Sequence, residues 1–196
     1  MRNSILLLSL IASVLVAQPS FTAADIATSA DGANSVFVAD MDNDGDLDIV
    51  SASGADDAIS WYENNGAADP SFTAADIATS ADGAQSVFLA DMDNDGDMDI
   101  VSASADDDAI AWYKNDGAAD PSWTAADIAT SADAARSVFV ADIDNDGDLD
   151  IVSASADDDA IAWYENGLAA FGSHSFTAAD IATSADGAIA VFVADL

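Results

Sequence analysis

The sequence predicts an all-β protein made of β-propeller-type blades of four antiparallel strands, three repeats plus a partial fourth, with a β-solenoid as the alternative architecture. Three observations carry this. First, the text repeats every 51 residues: the acidic segment at Asp40 recurs at Asp91 and Asp142, and the pair Trp61-Tyr62 recurs at Trp112 and Trp163. Second, residues 20–70 and 71–121 agree at 43 of 51 positions, so each copy must build the same unit. Third, short β-branched and apolar runs are punctuated by turn residues and are apolar on both faces, so each sheet needs a neighbour on either side.

The elements follow in order. Arg2, the 12-residue apolar run Ile5 to Val16 and Ala17 match a secretory signal peptide at residues 1–17, with the cut left open because Leu15 is large for its position. The run is shorter than the roughly 20 residues that span a membrane. Export is therefore expected, with no transmembrane segment once the signal is removed. Phe21 to Ser29, repeated from Phe72, Trp123 and Phe176, is the weakest strand, and its alanines also suit a short helix. Ser35 to Asp40, Leu47 to Ser53 and Ala58 to Glu63 are the other three strands of a unit. Asp-Gly at 31–32, the Asn-Asp-Gly of the acidic segment, Asp56-Asp57 and Asn64-Asn65-Gly66 mark the turns. Leu168 to Ser175 stretches the last spacing by two residues and reads as a loop insertion. Blade units fall at about 35–83, 86–134 and 137–187, with 188–196 and 20–30 supplying parts of another, as in an incomplete propeller or a fragment of a longer array. Uncovered blade faces would invite self-association.

Composition narrows the chemistry. Of 196 residues 51% are hydrophobic and 20% charged, enough apolar surface for a core and too much for a disordered acidic tail. Asp and Glu number 37 against 3 Lys and Arg, a net charge of -34, which excludes nucleic acid as a partner held by a basic surface. Loss of Arg2 with the signal would leave Lys114 and Arg136 as the only cations. Without cysteine there are no disulfides, thiolate nucleophiles or zinc–thiolate sites. The single histidine, His174, lies in the insertion with no identifiable partner. The carboxylate is what remains.

The acidic segment arranges that carboxylate as a calcium loop. It reads Asp40-Met-Asp42-Asn-Asp44-Gly-Asp46-Leu-Asp48, then Asp91-Met-Asp93-Asn-Asp95-Gly-Asp97-Met-Asp99, then Asp142-Ile-Asp144-Asn-Asp146-Gly-Asp148-Leu-Asp150. Five carboxylates in nine residues repel unless a cation sits among them. Alternate spacing lets positions 1, 3 and 5 converge, glycine at 6 allows the sharp turn, position 7 offers a carbonyl and position 9 a further carboxylate. Hard oxygens in a flexible loop suit calcium better than softer metals or magnesium's tight octahedron. About three calcium sites are expected. An EF-hand would need an acid at position 12, where Ser51, Ser102 and Ser153 stand, and flanking helices, where the sequence predicts a strand. A solvated acidic turn would require neither the glycine nor the alternate spacing. Glycoside hydrolysis by an acid–base pair finds no specific support, since a coincidental pair is easy to find among so many aspartates.

The string V-F-V-A-D-x-D-N-D-G-D-x-D-I-V-S-A-S followed by A-I-x-W-Y-x-N resembles the FG-GAP/VCBS repeats, relatives of the calcium-binding blades of integrin alpha chains, over about residues 20–196. The resemblance implies that Asp40, Asp42, Asp44 and Asp48 bind through side chains and Asp46 through its carbonyl, likewise in the other loops. It also implies a loop joining the first two strands of a blade. Two departures stand out: the Phe-Gly and Gly-Ala-Pro signature is not evident beyond Phe171-Gly172, and only three loops are complete where the family commonly has about seven blades. The implied function is a secreted, non-catalytic scaffold for an extracellular protein or glycan ligand. Alternatives are a propeller module of a polysaccharide-acting or oxidising enzyme, or a surface-coat protein. Of the smaller features, the Trp-Tyr pairs are expected to pack against the next blade, and the turn aspartates at 56–57, 106–108 and 157–159 to be solvated. Lys114 and Arg136 are read as offsetting nearby acids.

Overall fold

The computed structural model describes residues 22–169 and 173–194. The signal segment at 1–17, Phe21, Phe171-Gly172 and Asp195 lie outside the described residues. All regular structure among the described residues is β, with no helix, and hence none long and apolar enough to cross a membrane. The first sheet holds β1 (Ala33–Ala39), β2 (Asp48–Ser53), β3 (Ala58–Asn64) and β4 (Phe72–Ala78). The second holds β5 (Ala84–Ala90), β6 (Asp99–Ser104), β7 (Ala109–Asn115) and β8 (Trp123–Ala129), and the third β9 (Ala135–Ala141), β10 (Asp150–Ser155), β11 (Ala160–Ala169) and β12 (Ser173–Ala182). Each is an antiparallel meander with neighbours in chain order, the blade arrangement. Hydrogen-bonded ladders stay within a repeat, and the sheets do not close into a ring, so the array is an incomplete propeller or a short solenoid of stacked sheets.

Residue size explains the stacking. The second strands (Asp-Ile-Val-Ser-Ala-Ser) are buried on both faces, with small Ser and Ala letting the next sheet approach. Val50, Ile59 and Trp61 of the first sheet share one core with Val87, Leu89 and Ile100 of the second, and Val101, Ile110 and Trp112 repeat this against Val138, Val140 and Ile151. The Trp-Tyr residues that have a neighbouring sheet do face it: Trp61 and Tyr113 are buried in the core between the first two sheets, and Trp112 and Tyr164 in that between the second and third. Tyr62 is buried beside residues 24–30 instead, and Trp163 is only half-buried. Phe37, Phe88 and Phe139 of the first strands continue into Phe192, in residues 183–194 that form no strand where the sequence predicts part of a fourth blade, as a file of rings with centroids 4.9, 4.9 and 5.0 Å apart. Beside it a serine of each first strand accepts a backbone N–H from the following repeat at 3.3 Å: Ser35 from Val87, Ser86 from Val138 and Ser137 from Val191. The face of β1 is uncovered. Val36 and Val38 are 64% and 49% exposed, whereas Val87 and Leu89, one repeat on, are 4% and 3% exposed.

Three expectations change. Residues 22–29 form no strand. In the other copies this segment pairs with the preceding strand of its own sheet, as Ala74 does with Tyr62, and among the described residues no strand precedes 22–29 to pair with it. The insertion at 168–175 does not make a loop but lengthens the hairpin, with Gly167 opposite Ser175 and Leu168 opposite His174. His174 also has partners. Its Nδ1 is 3.1 Å from Asn166 Oδ1, and its ring meets Trp112 edge-on at 5.4 Å.

Candidate metal centres

Strand pairing fixes the span of each acidic loop. Ala39 is opposite Asp48, Ala90 opposite Asp99 and Ala141 opposite Asp150, so position 1 leaves the first strand and position 9 opens the second. The chain must reverse within the residues between. It does so through left-handed Asn43, Asn94 and Asn145 (φ 60, 57 and 63°) and through Gly45, Gly96 and Gly147 at φ 96, 97 and 100°. Asparagine tolerates the former region; the latter favours glycine.

Aspartates already shape this turn. Asp40 accepts the N–H of Asp44 and of Gly45 (3.1 and 3.0 Å), and Asp44 accepts that of Asp46 (2.9 Å). Asp91 likewise accepts Asp95 and Gly96 N–H, Asp95 accepts Asp97, Asp142 accepts Gly147 and Asp146 accepts Asp148. The loops are tied to one another as well, since Asn43 Nδ2 donates to Asp97 Oδ1 at 2.7 Å.

Three carboxylates converge in each loop, with one oxygen apiece within 4.8 Å of the others: Asp40, Asp42 and Asp48 in the first, Asp91, Asp93 and Asp95 in the second, Asp142, Asp144 and Asp146 in the third. The first two clusters are largely half-buried and the third is exposed. Asp46, Asp97 and Asp148 belong to none of them, which leaves position 7 only its carbonyl to offer; Asp46 and Asp97 turn their side chains to the next turn, where a Cβ on Gly66 or Gly117 would stand 2.0 or 2.1 Å from a carboxylate oxygen. Asp44 stands outside the first cluster, and Asp99 and Asp150 outside the second and third.

Position 9 has a second task. Asp48, Asp99 and Asp150 are buried, and each bridges two backbone donors: Met41 and Asn64, Met92 and Asn115, Ile143 and Asn166. Burial pushes the Asp99 carboxyl up to about 6, opposed by hydrogen bonds from Asn115 and Met92 N–H; the Trp112 indole N–H faces the same group without closing a hydrogen bond. Desolvation also raises Asp42 and Asp144, and the neighbouring carboxylates add to it.

One atom tests whether a cation fits. Asp93 Oδ1 is buried with no hydrogen-bond partner, and the Asp93 side chain is only 7% exposed. An orphaned carboxylate oxygen in a converging set of acids is costly as it stands, and a hard cation answers both its lone pairs and its charge.

Several contributing residues escaped the sequence reading. Asn115 Nδ2 donates to Met98 O of its own sheet and to Met41 O of the preceding loop, and Asn166 does the same with Leu149 O and Met92 O. The signal was the asparagine closing each W-Y-x-N. The turn aspartates also do more than face water. Asp57, Asp108 and Asp159 accept N–H groups from Gly83, Ala134 and Gly187 of the following repeat. Lys114 meets Asp93 and Asp95 of the second loop, as its reading as a counter-charge expects.

A family model for an FG-GAP-like repeat matches the chain twice, over residues 40–102 and 91–153, each match beginning at the first aspartate of a loop. No curated protein matches the chain.

Proposed function

The chain belongs to the FG-GAP-like repeat family, and from that premise we propose an exported, calcium-loaded, non-catalytic scaffold that presents a binding surface to an extracellular protein or glycan. The observation that supports calcium most directly is the convergence of three aspartates in each loop, with Asp93 Oδ1 lacking a donor. Asp40, Asp42 and Asp48 would hold the ion in the first loop, and the matching clusters in the others, with the carbonyls of Asp46, Asp97 and Asp148 completing the sets. Bound calcium supplies positive charge to carboxylates that otherwise repel. The Asp48, Asp99 and Asp150 bridges hold each loop against the third strand of its sheet, so ion uptake and sheet stability are coupled.

Near-identical copies support a scaffold rather than an enzyme, since a catalytic cluster would distinguish one copy from the others. The apolar run at 5–16 supports export. A calcium-filled loop suits that setting, since extracellular modules work at sub-millimolar to millimolar calcium. The uncovered Val36 and Val38 favour self-association through this face, and light scattering in calcium tests it; a long-lived monomer counts against it. The experiment for calcium is a thermal melt with chelator and with calcium restored. At about 100 times the dissociation constant each site adds about 2.7 kcal/mol, so the melting temperature should fall by several degrees on chelation and recover. An unchanged melt removes the metal. A glycan and protein binding screen, with and without calcium, tests the scaffold.

A further inference from the structure

The three loops agree in their aspartates and differ in one nearby residue. The strand position two residues after each Trp is Glu63 in β3, Lys114 in β7 and Glu165 in β11, in the same register opposite Thr73, Thr124 and Thr177. Lys114 Nζ reaches into the second loop, contacting Asp93 Oδ2 and lying 2.8 Å from Asp95 Oδ2. Two of the three converging carboxylates there thus already share an ammonium, while Asp93 Oδ1 remains without a partner. Counting the five loop aspartates with this neighbour, the second loop carries two fewer negative charges than the first or third, and calcium affinity follows ligand charge.

Resting on the calcium reading above, we infer that Lys114 is a tethered cation that occupies the second loop in competition with a divalent ion. The otherwise matching loops are then unequal: the first and third fill first, and the second fills only as the ion displaces the ammonium. Lys114 has a second consequence. Without calcium it partly neutralises its own loop, so the middle sheet keeps its hairpin shape where its neighbours suffer unrelieved repulsion. Its side chain is 38% exposed, so the ammonium can swing out to solvent and the competition is modest, of the order of a single ion pair, or about fivefold in affinity.

The test follows the amide signals of Gly45, Gly96 and Gly147 by two-dimensional NMR as calcium is added to the full chain stripped with chelator. The expected result is saturation of Gly45 and Gly147 at about fivefold less calcium than Gly96. Lys114→Gln should close part of the gap between Gly96 and the others, Lys114→Glu should bring Gly96 level with them, and Glu63→Lys should delay Gly45. Melting supplies an independent readout: Lys114→Gln should melt below the parent in chelator and above it in calcium, a crossing that a merely structural lysine would not produce. If Gly96 saturates together with Gly45 and Gly147 in the parent, or if Lys114→Gln leaves its midpoint unmoved, the role of Lys114 is overturned while calcium binding stands. If none of the three glycines moves, calcium binding itself is wrong and the inference falls with it.

Discussion

Replacing Asn115 with alanine removes a joint between two sheets, and the repeat supplies its own control. Asn115 is buried; its Nδ2 donates to Met98 O at 3.1 Å and to Met41 O at 2.9 Å, and its Oδ1 accepts Gly117 N–H at 3.0 Å. Asn64 makes the two local bonds, to Leu47 O at 3.0 Å and from Gly66 N–H at 3.1 Å, but among the described residues no preceding sheet offers it a carbonyl, and it is only half-buried. Truncation leaves each former partner without its bond, at about 1–3 kcal/mol where the partner is buried and much less where water can replace the bond. Met41 is buried. Asn115→Ala should therefore cost about 4 kcal/mol and Asn64→Ala about 1 kcal/mol, with Asn166→Ala, which bonds Met92 O, resembling the former. Urea unfolding in saturating calcium, followed by far-ultraviolet circular dichroism, reads the difference. With a slope of about 2 kcal/mol/M, the Asn115→Ala midpoint should lie more than about 1 M below that of Asn64→Ala. Equal midpoints would refute the bond between sheets as a source of stability.

Further outcomes follow from the same geometry. Val140→Ala should cost about 2 kcal/mol and Val38→Ala less than about 0.5 kcal/mol, because only the former position is covered by a neighbouring sheet; denaturation midpoints check this. Gly96→Ala meets no atom but must adopt φ 97°, so it should cost about 1–3 kcal/mol by melting and weaken calcium uptake at that loop alone. For pH, burial pushes the Asp99 carboxyl up to about 6 in the folded protein from its ordinary value of 3.8, so its protonated form is the one favoured by folding. Its contribution is fully present below about pH 4 and is lost as pH rises through about 6. The chelated protein should thus melt higher at pH 5 than at pH 7.5. Calcium favours ionised carboxylates, so its uptake should release protons near pH 6 and weaken on acidification, which calorimetry in two buffers of different ionisation enthalpy would detect.

Much of this was legible from residue order. The four-strand unit follows from runs such as Ser35 to Asp40 and Ala58 to Glu63, whose lengths and turn residues leave few alternatives. The loop follows from alternate aspartates with glycine at position 6. What stayed hidden depends on contacts between copies. Residues 22–29 read as a strand because their text equals that of β4, but a strand needs a partner, and text does not say whether one is adjacent. The two extra residues near Leu168 read as a loop because insertions usually are; a hairpin can absorb them by lengthening both arms. Position 9 read as a plain ligand. Its buried bridge to Asn64, Asn115 or Asn166 depends on a third strand returning beside the loop, and the reach of Asn115 to Met41 spans 74 residues. Lys114 read as a counter-charge, but which carboxylates it meets is a fact of register.

Calcium uptake by the folded chain is the claim on which the rest depends, and isothermal titration calorimetry of chelator-stripped protein measures it most directly. The account predicts saturable heat in two classes, two tighter sites and one weaker, with the heat at the first loop abolished by Asp42→Asn together with Asp48→Asn. Saturable heat that survives aspartate-to-asparagine replacement in all three loops, or no heat at all from soluble protein, would contradict it.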